Sequence, residues 1–408
     1  MSRILLVTPY FHPERTGISV TATDTAYFCR DLGHDVLVVT ALPFFPQMRI
    51  WDEYKGRWMC RERLNGVRVE RVWLYVPRDD STLKRILHAA SFSCTAAFRA
   101  MFLPCDVMIC TVPFLPTAML MGLLAHLRRK SIWLTVKDLE IDAAVKLSFL
   151  RGAMAEHTAR LIERWTYRLA DKVLAVSPKI LERLQERGVE ASKLQLVPDA
   201  VDARGEFSRG RERSARQHYF EECGVQGKIV FVHAGAMSAK HDLDAVVEAG
   251  QLLLEEQRVF FAIFGEGIEE RHIRRKITDS RLTNIGVFPL CERDQFAWML
   301  ASADVGILSM HLCAANATFP SKILSYAAAG VPILAAVDGD SEAAAVIREH
   351  GLGMVVAAES PTQRAQGVRQ LADNRAMRVQ MGENGRRFAL EHFDHETVKQ
   401  KYYRPLFS

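Results

Sequence analysis

The chain has no apolar run long enough to cross a bilayer. Its most apolar region, residues 100–127, is broken by Pro104, Asp106, Pro113 and Pro116, whereas a spanning helix needs about 20 consecutive apolar residues. That region reads as helix end, strand, loop and helix. A signal-peptide pattern is also missing, since the N-terminus passes directly into the strand-like Arg3-Ile4-Leu5-Leu6-Val7-Thr8. None of the eight cysteines forms a Cys-x-x-Cys pair or has a histidine at zinc-ligand spacing. Most lie in apolar stretches, so buried free thiols in a reducing cytosol are the expectation. A cytoplasmic protein follows, not integral to the membrane.

Two nucleotide signatures are absent as well. No Gly-x-Gly-x-x-Gly follows the first strand, which disfavours NAD or FAD, and no Gly-x-x-x-x-Gly-Lys-Ser/Thr loop occurs. Nor is there a dense basic tract. The 53 Lys and Arg against 48 Asp and Glu leave +5, with the two signs interspersed. Nucleic acid is therefore not the expected partner, and a phosphorylated ligand or an anionic membrane surface fits that charge as well.

What is present is a full complement of core-forming material. At 408 residues, 49% hydrophobic and 25% charged, the chain can build two domains. Apolar runs near 3–8, 35–40, 67–72, 106–110, 131–136, 172–176 and 194–197 predict strands. Helical spacing at 20–32, 81–103, 115–129 and 155–170 separates several of them. Strand and helix alternation predicts a parallel sheet covered on both faces. The pattern restarts at Lys228-Ile229-Val230-Phe231-Val232-His233, with later strands near 258–263, 283–288, 304–308, 331–335 and 353–356. The predicted boundary is Val197-Pro198-Asp199-Ala200-Val201-Asp202. It divides the chain into 1–198, 199–388 and a C-terminal helical piece, 389–408, that packs back on the first domain. The charged stretch 203–217 reads as linker.

Ligands of open α/β sheets lie at the carboxyl ends of strands. The first such loop carries Tyr10-Phe11-His12-Pro13-Glu14 and then Gly17, where backbone can approach a ligand before a helix. Gly235-Ala236-Met237-Ser238-Ala239-Lys240 is a stronger candidate: a small, flexible exit from a buried strand, then a lysine before a helix, suited to a diphosphate and equally to an ordinary surface lysine at a helix start. Phe264-Gly265-Glu266-Gly267 fits close passage of a phosphate or ribose, and equally a tight strand-helix turn. Phe319-Pro320-Ser321-Lys322 opens a helix that stops at Gly330. A lysine in a first turn opposes the helix dipole, so Lys322 marks either a bound anion or a solvated surface. Lys137-Asp138-Leu139-Glu140-Ile141-Asp142 sets three carboxylates after a strand, as substrate contacts or as helix-start acids. In segment 83–102, Leu83, Ile86, Leu87, Ala90, Cys94, Ala97, Phe98 and Met101 share helical spacing beside Lys84, Arg85, His88 and Arg99. A core-facing helix with a solvated edge is the favoured reading, and a basic amphipathic helix resting on a membrane is the other.

Together these segments resemble glycosyltransferase family 4, of GT-B fold, and most closely the branch associated with fucose or N-acetylfucosamine transfer in O-antigen and colanic-acid synthesis. The resemblance runs through Tyr10 to Glu14 with Gly17, Leu32-Gly33-His34-Asp35-Val36, Tyr75-Val76-Pro77, Ser81-Thr82-Leu83-Lys84-Arg85 and Val136-Lys137-Asp138-Leu139. It continues through the boundary segment, the 235–240 loop, Gly265-Glu266-Gly267 and Pro320-Ser321-Lys322 with Tyr326. It implies two Rossmann-like parallel-sheet domains facing across a cleft, and a retaining transfer that uses a nucleoside-diphosphate sugar and no metal or other cofactor.

In that resemblance Lys240 holds the donor diphosphate, with Gly235, Gly265, Glu266 and Gly267 around the donor. Gly17 faces it from the first domain, Lys322 reaches phosphate or ribose, and Phe288-Pro289 lies against the base. Asp138, with His12 and Glu140, lies on the acceptor side. The acceptor it implies is a glycan or polyprenyl-linked sugar of a surface polysaccharide, met at the inner face of the membrane. One departure stands out. The wider family has a Glu-x7-Glu pair whose second Glu binds the ribose, and these positions read Ala317 and Ser325. That departure motivates a rival reading as a non-catalytic nucleotide-sugar-binding partner. A nucleotide-sugar epimerase of the same fold is another.

Overall fold

The computed structural model describes residues 1–14, 17–77, 82–112, 115–139, 141–142, 145, 152–215, 217, 219–238, 240–312 and 319–408. They form two compact units, Met1–Asp199 with Lys399–Ser408, and Ala200–Val398. Of the predicted C-terminal piece, residues 389–398 belong to the second unit and only the last ten to the first. There the Tyr403 hydroxyl meets Thr25 Oγ1 at 2.7 Å, and Lys172 Nζ donates to the Leu406 carbonyl at 2.9 Å.

The first unit is built on β1 (Arg3–Val7), β2 (Asp35–Ala41), β3 (Met59–Leu64), β4 (Val67–Val72), β5 (Val107–Val112), β6 (Ser131–Val136), β7 (Lys172–Ala175) and β8 (Leu194–Leu196). They lie in the order β3-β4-β2-β1-β5-β6-β7-β8, and every neighbour pair is parallel except β3–β4. The central strands are apolar on both faces because helices cover both; Leu5, Val7, Val39, Cys110 and Val136 are fully buried. The order reverses at β1, which places the β1 loop at a switch point.

The second unit has β9 (Ile229–Ala234), β10 (Val259–Phe264), β11 (Ile285–Phe288), β12 (Val305–Ser309), β13 (Ile333–Val337) and β14 (Gly353–Ala357). Its order is β11-β10-β9-β12-β13-β14, all parallel, with the reversal at β9. Both expected parallel-sheet domains are therefore present.

Three local expectations are corrected. Strand β3 carries no apolar run; it pairs as a charged edge hairpin through Asn65 and Gly66, whose φ of 46° and 86° suit a tight two-residue turn. The stretch 203–217 is not a linker: it contains the helix Glu206–Ser214, which buries only Phe207 and Gly210. A Cβ on Gly210 would stand 2.6 Å from the Ala297 backbone, so the helices meet by glycine contact that apolar periodicity does not reveal.

The third correction concerns the helix Thr82–Met101. Its inward side is made by His88, Phe92, Ser93, Ala96 and Ala100. Ser93 meets Thr117 at 2.7 Å, and His88 Nδ1 lies 2.6 Å from the Tyr75 carbonyl oxygen. At 100° per residue the apolar stripe lies opposite, and Leu83, Leu87 and Phe98 are 67%, 48% and 66% exposed. Cys94 is exposed beside them, unlike the buried thiols of Cys29, Cys105, Cys110 and Cys291. The favoured core-facing reading is therefore reversed, because one phenylalanine and small side chains suffice to seat this helix.

Candidate active site

In the second unit the candidate residues gather at the carboxyl ends of β9 and β10 and at the start of the helix Lys322–Ala329. Chain leaves β9 through Gly235 at φ 125°, a conformation that favours glycine. The Lys322 side chain lies against this glycine, its Cε 3.1 Å from where a Cβ would stand. Tyr326, one turn on, anchors the helix to the sheet. Its hydroxyl accepts from Ala234 N at 3.2 Å and faces the carbonyls of Val232 (3.2 Å) and Ile307 (3.1 Å). Its ring covers Gly306, where a Cβ would be 2.6 Å away. Helix start, strand end and lysine are thereby fixed together.

The electrostatics are one-sided. Lys322 is pushed down to about 7, first by burial and then by the charge of Lys240. His233 and His241 are held well below the ordinary imidazole value, by burial first; Lys322 acts on both, and Lys240 also on His241. No carboxylate is among the groups that perturb these three side chains. Lys322 makes no ion pair among the described residues. Lys322, His233 and His241 lie together with no carboxylate among the described groups that perturb them, a chemistry that suits an anion.

The two helix starts near it differ. Asp242 caps the helix Leu243–Leu252, accepting from Ala245 N at 3.1 Å. Its own carboxylate occupies the positive end expected to receive phosphate after Lys240. The helix Lys322–Ala329 has no side-chain cap and no acid in its first turn; Ile323 N and Leu324 N donate to the Pro320 and Ser321 carbonyls, so what this start offers an anion is its positive dipole end and Lys322.

Gly265 and Gly267 answer a structural demand. A Cβ on Gly265 would stand 1.9 Å from the Gly235 carbonyl oxygen, and one on Gly267 2.2 Å from that of Met237. Gly235 N donates to Phe264 O and Met237 N to Glu266 O, each at 2.9 Å. The close passage expected for a phosphate or ribose is occupied on this side by the neighbouring loop, which the glycines hold in place. Phe288 stacks on Phe264 at 4.8 Å and 14°, and Pro289 beside it is exposed. Ser325 is half-buried on the Lys322 helix, one turn on; Ala317 lies outside the described residues. His233 and His241 escaped the sequence reading. A histidine closing an otherwise apolar strand was the available signal for His233.

In the first unit the β1 loop is held from two sides. Arg71, fully buried, donates from Nη2 to the His12 carbonyl at 2.5 Å and from Nε to Glu62 at 2.9 Å. Glu14 Oε1 accepts from Phe44 N (3.0 Å) and Phe45 N (2.9 Å), tying the loops after β1 and β2 together. Burial pushes the Glu14 carboxyl up to about 7 against those hydrogen bonds. His12 is half-buried, and Gly17 is the exposed first residue of the helix Gly17–Asp31.

Asp138 is half-buried just past β6, two strands from β1 at the same edge of the sheet. The acidic loop divides by role. Lys137 pairs with Asp199 of the boundary segment, and Asp142 pairs with Arg160 (2.9 Å) and with Arg187. Glu140 lies outside the described residues.

Comparison with known proteins agrees with this architecture. Residues 16–200 match the glycosyl transferase 4-like domain and residues 216–388 the glycosyl transferases group 1 domain. The chain is 28% identical over 377 residues to WcaI of Escherichia coli (strain K12), named as a colanic acid biosynthesis glycosyl transferase, covering 90% of this chain and 91% of that protein. It is 23% identical over 206 residues to WbjE of Pseudomonas aeruginosa, named as a glycosyltransferase, covering 50% of each. Among solved structures, Anabaena Alr3699/HepE in complex with UDP and glucose has a TM-score of 0.71 at 15% identity, over 100% of this chain and 99% of that one. WaaG, a glycosyltransferase involved in lipopolysaccharide biosynthesis, has 0.70 at 16%, over 98% of each. These structural likenesses carry the GT-B fold.

Proposed function

We propose, from the premise that this chain belongs to the glycosyltransferases pairing a 4-like with a group 1 domain, that it moves a sugar from a nucleoside-diphosphate donor to a glycan or polyprenyl-linked acceptor. The enzyme works in polysaccharide biosynthesis on this reading, in the O-antigen and exopolysaccharide class. The observation that carries the donor is the uncapped start of the helix Lys322–Ala329, with Lys322, Lys240 and Gly235 beside it and no carboxylate among the perturbing groups. That HepE is described in complex with UDP and glucose supports the same donor class.

The mechanism is electrostatic. Lys240, Lys322 and the positive end of the helix dipole take up negative charge on the departing diphosphate as the bond to the sugar breaks. No metal and no covalent adduct enters this reading, and the anomeric configuration is retained. Asp138, with His12 and Glu140, stands on the acceptor side. The family resemblance supports a sugar of fucose or N-acetylfucosamine type. The acceptor is presented at the inner face of the membrane, where the enzyme is peripheral.

A thermal-shift series with nucleoside diphosphates tests the donor, because a ligand bound only by the native state raises apparent stability. Stabilisation should persist in excess EDTA. Strict dependence on a divalent ion would overturn the metal-independent mechanism.

A further inference from the structure

The outward stripe of the helix Thr82–Met101 does not stand alone. This helix packs beside Leu115–Leu127, which in turn packs beside Ala153–Leu169. Eleven of the 21 large hydrophobic side chains that are exposed among the described residues lie between Leu83 and Trp165, on these three helices or just past the first. The remaining ten are spread over the rest of both units. On Leu115–Leu127, Leu123 and Leu127 are 45% and 84% exposed. On Ala153–Leu169 the outward positions are Met154, Leu161 and Trp165, at 79%, 46% and 52%. Scattered exposed apolar residues need no explanation, but a concentration on adjacent helices does.

The charges on this face have one sign where the apolar surface is richest. Neither Thr82–Met101 nor Leu115–Leu127 contains an Asp or Glu. Arg128-Arg129-Lys130 follows the second helix directly. Arg128 donates to the Ala100 and Leu103 carbonyls, at 2.8 and 2.7 Å, and so spends no charge on a carboxylate. Arg164 and Arg168 are exposed on the third helix, the latter 5.5 Å above the Trp165 ring.

From this juxtaposition we propose that the outer face of these three helices is a docking surface for an anionic phospholipid bilayer. Helices lying in a bilayer interface bury an apolar face among the acyl chains and set Lys and Arg at the phosphates. Trp at the boundary matches the same environment. At about 1.5 Å per residue, the first helix alone offers an apolar stripe roughly 30 Å long. This surface deepens the reading of a membrane-presented acceptor and rests on that reading only for its purpose, since docking itself needs no donor.

The test is co-sedimentation of the full chain with phosphatidylcholine vesicles, with and without phosphatidylglycerol. The expected result is binding to phosphatidylglycerol vesicles that weakens with salt. The exposed triple variant L87Q/F98Q/L127Q should bind at least tenfold more weakly, while keeping its thermal melt and its response to nucleotide-sugars. R164Q/R168Q should bind more weakly and respond less to salt. Undiminished binding by the triple variant overturns the proposal. So does indifference of the wild type to phosphatidylglycerol vesicles at low salt. A wild-type dimer that the triple variant converts to monomer assigns the face to a second copy of the chain and equally overturns it. Vesicle binding without any nucleotide-sugar response counts against the donor reading alone.

Discussion

A Cβ on Gly265 would lie 1.9 Å from the carbonyl oxygen of Gly235, so the loops leaving β10 and β9 touch backbone to backbone. No side chain can yield there. Gly265→Ala must displace the 235–237 loop, and with it the surface against Lys322. We expect a destabilised second unit and loss of nucleotide-sugar binding, read by thermal melting and titration. An unchanged melt with normal binding would contradict this packing.

Lys322 is the group whose protonation donor binding should change. With its value near 7, about half of the empty protein carries the charge at neutral pH, and a bound diphosphate raises that value. Binding therefore takes up a proton, and affinity falls as pH rises above 7, by at most about tenfold per unit. A nucleotide-sugar suits the measurement because its diphosphate does not titrate there. Calorimetry in buffers of different ionisation enthalpy should show the uptake in the wild type and lose it in Lys322→Met.

Lys240, whose charge acts on Lys322, faces the diphosphate from the neighbouring loop in the proposed mechanism. Lys240→Ala should lower kcat/KM by roughly 10²-fold, the scale of losing a transition-state electrostatic contact, with the melting temperature little changed. A near wild-type rate would return Lys240 to the role of an ordinary surface lysine.

On the proposed donor placement, Ser325 offers the ribose one short hydroxyl where the family resemblance implies a carboxylate. Hydrogen bonds to a charged partner contribute roughly 1.5–3 kcal/mol, against about 1 for neutral ones. A 2′-deoxyribose donor analogue should thus lose less than about tenfold in affinity, and Lys322→Ala should lose more. Paired binding titrations decide it; a large penalty for the deoxy analogue would place another residue on the ribose.

Glu14 makes a pH-dependent contribution to stability. Its folded value of about 7 exceeds the ordinary 4.5, so the native state binds more protons between these limits. The resulting cost is absent below about 4.5, grows as pH rises, and is complete above 7. At 1.36 kcal/mol per unit the cost reaches about 3 kcal/mol. Glu14→Gln keeps an oxygen for Phe44 N and Phe45 N, and should melt higher than wild type at pH 8 but not at pH 4.5.

Much of the architecture was legible in advance because buried parallel strands must be apolar on both faces. Most strands announced themselves that way, β4 (Val67–Val72) by alternation of Val with charge instead, and the restart at Ile229–Ala234 announced the second sheet. Strand β3 lies at an edge, where charge is tolerated, and only Asn65-Gly66 marked its turn. The Glu206–Ser214 helix was hidden because glycine contact leaves no apolar period. Lys240, Lys322 and Gly235 stood out as candidates in the sequence because each sits where a strand gives way to a helix, and the structure brings Lys322 against Gly235. His233 and His241 did not, since a lone histidine more often serves a core.

The order of apolar runs, glycines and cations along the chain by itself determined two parallel-sheet domains and marked the loops of the proposed donor site. Only the tertiary structure decided direction. Whether the stripe from Leu83 to Met101 faces core or surroundings depends on what seats the opposite side, and Phe92, Ala96 and Ala100 do that. Whether Gly265 admits a ligand or a neighbouring loop depends on the path of Gly235. Whether a helix start can receive a phosphate depends on whether Asp242 or an uncapped Ser321 precedes it in space. Each of these is set by contacts between segments far apart in sequence, whose free energies local pattern does not contain.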